Sequence, residues 1–419
     1  MNNLAILLSN VLLVWLVTQV ILTLVFLLNL RSHPKNITSE QQLPKTAIIL
    51  SLRGADPFLP KCIQALLKQN YPDYDLKIIV DSKEDPAWQI AHETISLIGA
   101  TDVQISVLEK VSYKCGLKCS SLIQAVNELD DSYKVVALVD ADTIVYPHWL
   151  RELVTPLANP KVGATTGNRW YLPTGKYWGS IVRYIWNVSA TIQMYLYQIP
   201  WAGSFAIKTE VLHQTGLIEK WGLSLSDDTI VTKILRKHGL QVKFVPSLMM
   251  LNSEDCDLSS LFGWLTRQIL WAKLYHPSWW AIVADTCLTV ILSSSFLLLF
   301  FVALWTKQVE AAAIFIRTYG IYMTTLLLLI IALDRTVQKV IASQGNAPTK
   351  LSLFTAIRIL ITIPLSQWVC GISLFSTFWI STVKWRGVNY RVLGPWDIQL
   401  VEYSPYQSSE QTNDSKISL

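Results

Sequence analysis

Charge is scarce along this chain. Asp, Glu, Lys and Arg make up 16% of the 419 residues, hydrophobic residues make up 51%, and the net charge is +5. So small an excess needs no nucleic-acid partner, and none is expected. Cysteine is sparse too. The six cysteines lack the paired spacing and histidine company of a zinc site, and Cys115 and Cys119 have no second pair to join them. Free thiols in a reducing compartment are expected rather than disulfides. No internal repeat is visible, and no small-residue cleavage site precedes the basic cluster Arg31, His33 and Lys35. Residues 4–30 hold no charge at all. That run exceeds the ~20 residues a helix needs to cross a bilayer, and it is too long for a signal-peptide core. It reads as a retained membrane anchor.

The C-terminal third is similarly poor in charge. Trp280 to Trp305 carries only Asp285, and Ala311 to Leu333 is interrupted only by Arg317. Leu351 to Val383 carries only Arg358 but contains Pro364. This last stretch is too long for one simple span. It leaves open a broken helix, a re-entrant hairpin, or an interfacial helix followed by a span. The lengths and flanking tryptophans favour membrane segments over buried helices of a soluble protein. Arg31 and Lys35 follow the first span, Arg335, Lys339 and Lys350 flank the later ones, and Lys384, Arg386 and Arg391 follow the last. Basic residues stay on the cytoplasmic side, so the central region is expected there, and the sequons at Asn36, Asn187 and Asn413 would go unused. Four segments result: an anchor and linker (1–44), a cytoplasmic domain (45–278), a C-terminal transmembrane region (279–383), and a basic segment with a polar tail (384–419). The tail from Ser404 onward is expected to be disordered.

Within the cytoplasmic region, strands are expected at 46–50, 76–80, 103–108 and 135–139. Helical patterns intervene at 59–69 and 87–98, and another begins near Ser120. Strands alternating with helices imply a mainly parallel α/β sheet covered on both faces. The stretch from Tyr171 to Ile199 is rich in Tyr and Trp and poor in charge. It is expected near the membrane or lining an acceptor groove.

Three acidic clusters mark this region. Asp81 closes the second strand, Asp140-Ala141-Asp142 closes the run 135–139, and Asp227-Asp228 opens a helical pattern from Thr229 to His238. Carboxylates at strand ends converge on the crevice where open α/β sheets bind ligands. In an extended chain, Asp140 and Asp142 point to one side. Two hard oxygen ligands there suit Mg2+ or Mn2+, which take substrate phosphates as further ligands. Asp81 suits a base or ribose contact, a role open also to its neighbours Glu84 and Asp85. Of Asp227 and Asp228, one suffices to cap a helix, which leaves the other free as a general base. Lys118, Arg267 and Lys273 are candidate phosphate contacts. Trp264, Trp271, Trp279 and Trp280 are equally well explained as interfacial anchors.

Taken together, the stretches Leu52-Arg53-Gly54-Ala55-Asp56-Pro57, Tyr71-Pro72-Asp73-Tyr74, Asp85-Pro86-Ala87, Asp140-Ala141-Asp142, Trp201-Ala202-Gly203-Ser204, Ser226-Asp227-Asp228 and Trp385-Arg386-Gly387-Val388-Asn389-Tyr390 resemble the inverting GT-A glycosyltransferases. Within them, the similarity is to the ceramide glucosyltransferase-like branch. The resemblance implies that Asp81 belongs to the nucleotide site, that Asp140 and Asp142 form the ribose and metal-binding DxD, and that Asp228 takes the acceptor proton. Arg267 and Trp271 fall on the family's (Q/R)xxRW motif, but Leu270 stands where its arginine is expected, and Lys273 is a candidate substitute. Arg53, Asp81, Lys118, Asp140, Asp227, Arg267 and Trp271 are thus the donor-binding candidates, Asp140 and Asp142 the metal ligands, and Asp228 the catalytic base. The implied activity is transfer of a hexose, by resemblance glucose, from a UDP-sugar to a lipid hydroxyl. A processive polysaccharide synthase and a non-catalytic lipid carrier or scaffold are the alternatives.

Overall fold

The computed structural model describes residues 1–31, 43–172 and 177–406. His33, Lys35 and the sequons at Asn36 and Asn413 lie outside them. The strands are β1 (Thr46–Leu52), β2 (Tyr74–Val80), β3 (Val103–Val107), β4 (Val135–Val139), β5 (Val162–Tyr171), β6 (Phe205–Lys208), β7 (Gln241–Asn252), β8 (Thr382–Trp385), β9 (Val388–Gly394) and β10 (Asp397–Glu402). The helices are α1 (Asn2–Arg31), α2 (Leu59–Leu66), α3 (Pro86–Ile98), α4 (Leu117–Asn127), α5 (Trp149–Val154), α6 (Trp178–Tyr197), α7 (Thr209–Gln214), α8 (Leu217–Trp221), α9 (Val231–Lys237), α10 (Leu258–Tyr275), α11 (Trp279–Trp305), α12 (Val309–Ser343) and α13 (Leu353–Ser376).

Seven strands form one sheet in the order β3-β2-β1-β4-β6-β5-β7. Pairs β3/β2, β2/β1, β1/β4 and β5/β7 are parallel, whereas β6 runs antiparallel to both neighbours. The central strands are near-continuous apolar runs because both faces are covered. Their side chains alternate between two cores. Ile49, Ile79, Val136 and Leu138 join one with α4 and α8, and Ile48, Leu50, Ile78, Val80, Ala137 and Val139 join the other with α2 and α5. The first core also holds Val388, Tyr390 and Ile398, so the small antiparallel sheet β10-β9-β8 packs on that face. The mainly parallel α/β sheet with apolar helices at both ends is the fold class the sequence implies.

Strands β5, β6 and β7 were not expected from the pattern. β5 is interrupted by two glycines and β7 by Pro246, which weaken the strand signal. Helix α3 ends as predicted, on left-handed Gly99 with φ +70°.

Four helices are long and apolar enough to cross a membrane: α1, α11, α12 and α13. The first three pack together through Ser9–Thr318 and Trp15–Thr289 hydrogen bonds. The last turns of α12 dock on the domain, where Trp170 Nε1 donates to Asp334 (3.1 Å) and Gln344 to Ser247 O (2.6 Å). Within the stretch 351–383 lies one helix, α13, with Pro364 inside it, and β8 begins at Thr382. Both flanks of α13 are tied back towards the domain. Thr349 N donates to Gln338 near the docked end of α12, and Lys273 Nζ donates to Thr377 O. Its outer face is apolar and exposed at Leu353, Phe354, Ile357, Ile361, Trp368 and Ile372.

Candidate active site

Because β1, β2 and β4 are adjacent and parallel, their C-terminal ends open on one side. Strand order reverses between β1 and β4, which creates the crevice. Arg53 follows β1, Asp81 follows β2, and Asp140 and Asp142 follow β4. The turn between α8 and α9 brings Asp227 and Asp228 to the same place. All of them line one cavity of about 170 Å³ with Lys118, Arg267 and Trp271. The structure therefore gathers the donor-binding, metal and catalytic candidates named from the sequence, with the exception of the phosphate candidate Lys273.

Lys118, on the first turn of α4, is the electrostatic centre. Its Nζ lies 2.6 Å from Asp140 Oδ1 and 3.0 Å from Asp227 Oδ2. Burial alone would lower its pKa, but the two carboxylates overcome that and raise it. Burial likewise works to raise Asp140, and the Lys118 ammonium reverses it, holding that carboxyl below its ordinary value. Among the described residues Asp142 makes no such ion pair, and Arg169 and Arg386 oppose its shift only in part. Burial, and then the Asp140 charge, push it up to about 7. Asp227 is raised to about 6, by burial first, with Lys118 opposing.

This donor set fits a divalent cation. Two carboxylates lie on one loop, and the one without a lysine resists ionisation in a way that an added positive charge would relieve. Among the described residues, no group of three or more His, Cys, Asp or Glu is placed to hold an ion. The protein would supply two ligands and leave the others to phosphate and water.

Asp228 is held firmly. Oδ1 accepts from Thr229 N (2.6 Å), Thr229 Oγ1 (2.9 Å) and Ser226 Oγ (2.9 Å), and Oδ2 accepts only from Ala202 N (3.0 Å). Neither aspartate caps α9, whose N-cap is Ile230 and has no side-chain cap. The capping reading of this pair is thus corrected, since the chain makes a separate turn before the helix begins. The Trp201-Ala202-Gly203-Ser204 stretch presents the Ala202 N–H. A Cβ at Gly203 would sit 2.0 Å from the Trp201 ring, so only glycine allows that turn.

Asp81 is buried, and its carboxylate is already engaged. Arg53 Nη1 donates to it, as do Tyr406 N (2.9 Å) and Tyr403 Oη (3.3 Å). Ser404 to Tyr406, expected to lack order, fold over this carboxylate, and a Cβ at Gly54 would meet the Tyr406 ring at 2.9 Å. Asp85 is not an alternative. It caps α3 through Ala87 N and accepts from Gly54 N (2.8 Å).

Two arginines were missed. Arg169, on β5, lies over the rings of Trp264 (5.1 Å), Trp201 (5.4 Å) and Tyr171 (5.5 Å) and lines the cavity. Its signal was a lone charge in an uncharged aromatic stretch. Arg386 forms the two-residue turn of the β8–β9 hairpin with Gly387, both at positive φ (46° and 78°), as such turns require. Its Nη1 donates to Arg53 O (2.7 Å) and Arg53 Nε donates to Arg386 O (3.0 Å). The hairpin thereby completes a site more than 300 residues away in sequence from Arg53.

On α10, Arg267 and Trp271 face the cavity one turn apart. Burial and then the neighbouring Arg386 and Arg169 lower Arg267 to about 10. Leu270 is 2% exposed in the core beside Tyr275 and Tyr390, so the side chain at that position points away from the cavity. Lys273 does not substitute for the motif arginine. It donates to Thr377 O (2.6 Å) beneath the Phe378 ring. Of the four tryptophans, Trp264 and Trp271 line the site, Trp279 packs on Phe378, and Trp280 is exposed.

A second, mostly apolar cavity of about 290 Å³ adjoins the first. It runs among α1, α6, α11, α12 and α13. Asp228, Arg169, Trp201 and Gln268 line both cavities. The Tyr171–Ile199 stretch supplies much of its wall as α6, with the buried sequon residue Asn187 among its lining side chains.

A family model described as glycosyl transferase family 21 matches residues 10–395. Among solved structures, a mannosyltransferase from Pyrobaculum calidifontis in complex with GDP-Man and Mn2+ is 13% identical, with 89% of this chain and 99% of that one covered and a TM-score of 0.48. The glucosyl-3-phosphoglycerate synthase from Mycobacterium tuberculosis, in complex with Mn2+, UDP and phosphoglyceric acid, is 13% identical, with 55% of this chain and 79% of that one covered and a TM-score of 0.37.

Proposed function

The chain belongs to glycosyl transferase family 21, and from that premise we propose that it transfers a hexose, glucose by resemblance, from a UDP-sugar to the hydroxyl of a membrane lipid with inversion. The observation that carries this reading is the position of Asp228 on the wall of both the charged cavity and the apolar one. A donor in the first and a lipid in the second would meet at that carboxylate.

Asp228 acts as the general base. Oδ1 is filled by three donors, whereas Oδ2 keeps a free acceptor position for the lipid hydroxyl proton. The hydroxyl oxygen then attacks the anomeric carbon, and the bond to the diphosphate breaks on the opposite face. Lys118, Arg169 and Arg267 hold the departing diphosphate and stabilise its developing charge. Mg2+ or Mn2+ bound by Asp140 and Asp142 would add positive charge at the same place. Arg53, Asp81 and Asp227 bind the donor, with Trp271 in the wall.

The four long apolar helices support a bilayer setting for this chemistry. We read α1, α11 and α12 as three crossings. We place helix α13 along the interface, because its C-terminal flank is tied to α10 of the domain, its N-terminal flank to the docked end of α12, and its outer stripe is apolar. Domain and C-terminus then share one face, which the flanking basic residues mark as cytoplasmic.

The test is lipid mass spectrometry of a host lacking glycolipids, with and without this protein, with Asp142→Ala as control. A hexosyl lipid that is present with the protein and absent with the variant supports the reading. No new lipid despite folded protein in the membrane counts against a lipid acceptor.

A further inference from the structure

One segment at the donor cavity has no part in the chemistry above. Past the end of β10 at Glu402, the chain runs over Arg53, Gly54 and Asp81, three residues of the charged cavity's lining. Arg53 and Asp81 are paired with each other, yet each makes a further bond to this segment. Asp81 Oδ2 accepts from Tyr406 N (2.9 Å), and Arg53 Nη2 donates to Ser404 O (3.1 Å). The Tyr403 hydroxyl adds a longer bond to Asp81 Oδ1 (3.3 Å). Two rings flank the guanidinium, with Arg53 Cζ 5.7 Å from the Tyr403 centroid and 5.6 Å from that of Tyr406. The Tyr406 ring also covers Gly54, where a Cβ would come within 2.9 Å of it. Pro405 separates the two backbone groups. Its ring fixes φ and disfavours helical backbone at Ser404, which reduces the entropy lost when the segment settles.

The segment thus offers an N–H to a carboxylate, a carbonyl oxygen to the adjoining guanidinium, and a flat ring to a glycine. A uracil base offers the same three features, an N–H beside a carbonyl oxygen on a flat ring, and proteins read bases through such edge bonds and ring contacts. We propose that Ser404 to Tyr406 mimic the base and act as an internal inhibitor, which the incoming nucleotide must displace from Arg53 and Asp81. This rests on the UDP-sugar reading above and concerns the regulation of that same site. Displacement is feasible because a few hydrogen bonds and one ring contact are set against the entropy of ordering the segment. A site that is open for only part of the time binds its ligand more weakly in proportion to the open fraction. Among the described residues, the segment's bonds to the site reach Arg53 and Asp81 and not Lys118, Arg169 or Arg267. It therefore blocks the base and leaves the diphosphate seat open.

The experiment uses the full chain in nanodiscs with Mg2+, and two probes, UDP and inorganic pyrophosphate. Calorimetry compares the wild type with Tyr406→Pro, which removes the N–H given to Asp81, and Tyr406→Ala, which keeps the N–H but takes the ring off Gly54. UDP should bind about threefold or more tighter to the proline variant, and tighter to the alanine variant as well. Pyrophosphate, which has no base, should bind all three proteins within about twofold. Hydrogen exchange on the unmodified wild type supplies a reading that no substitution can disturb. The Tyr406 amide should exchange slowly in the free protein and faster with saturating UDP, because the nucleotide releases it. Slower exchange with UDP, together with weaker UDP binding by the variants, would make the segment a roof over the base and overturn the proposal. Unchanged UDP binding in both variants overturns it too, since the segment would then lie clear of the base. Equal tightening of both probes would show a general opening of the cavity, and the mimicry falls. If sugar is transferred in the host assay and none of these shifts is seen, the inhibitor alone falls. If UDP binds neither the wild type nor the variants, the UDP-sugar reading falls and takes the inhibitor with it.

Discussion

Replacing Asp228 with asparagine should abolish transfer while leaving the donor bound. Every partner of this carboxylate donates a hydrogen: Ala202 N at Oδ2, and Thr229 N, Thr229 Oγ1 and Ser226 Oγ at Oδ1. Hydroxyls can rotate to accept, but the two backbone N–H groups cannot. An asparagine must therefore set its own NH2 against one of them, whichever way it is turned. The expected stability cost is about 1–3 kcal/mol, the penalty for one unmet buried donor. The kinetic cost is separate. Loss of a general base removes about 10²–10⁴ in rate, or ~3–5 kcal/mol of barrier. The two are read by different measurements. Thermal unfolding reports the first, and transfer of labelled sugar from UDP-sugar to extracted lipid, well below the melting temperature, reports the second. UDP binding by calorimetry should change by less than about threefold, since the charge contacts to the diphosphate remain. A folded variant that turns over within about tenfold of the wild type would falsify the assignment of Asp228 as base.

Other sites carry their own expectations. Lys118→Met leaves Asp140 and Asp227 without their shared cation, so stability should fall by about 3–5 kcal/mol and UDP binding should weaken; an unchanged melting temperature would contradict the central role of this lysine. Arg169→Ala should lower kcat/KM by about 10²-fold through lost diphosphate stabilisation, whereas Lys273→Ala, which lies away from the cavity, should not; similar losses in both would reverse the correction made above. Leu270→Arg restores the family motif in sequence yet buries an unpaired charge in the core, so unfolding should occur several kcal/mol sooner with no gain in transfer; a rise in turnover would refute this placement. Truncation after Glu402 removes Tyr403 and Tyr406 from Asp81 and should tighten UDP binding, because a base no longer has to displace them; weaker binding would make the segment part of the binding wall.

The sequence by itself determined four buried strands of a mainly parallel sheet and the acidic residues at the ends of two of them. Apolar runs of five residues report burial on both faces, and an aspartate closing such a run lies at the sheet's C-terminal edge wherever the strand is placed. It also determined the helices long and apolar enough to cross a membrane, since scarcity of charge over 20 or more residues is a local property. It did not yield β5, β6 and β7, whose glycines and proline are compensated by pairing with neighbours distant in the chain. Nor did it yield Arg169, or the closing of the site by Arg386 and Tyr406, because those contacts join segments hundreds of residues apart and depend on how the small sheet packs. The motif departure at Leu270 was legible, but its consequence was not. Only the angular position of that residue on α10, turned into the core, shows that the cavity draws its cations from β5 and the hairpin instead. The meeting of two cavities at Asp228 is likewise a tertiary fact, because hydrophobic pattern records that a face is covered and not what space is left between the helices that cover it.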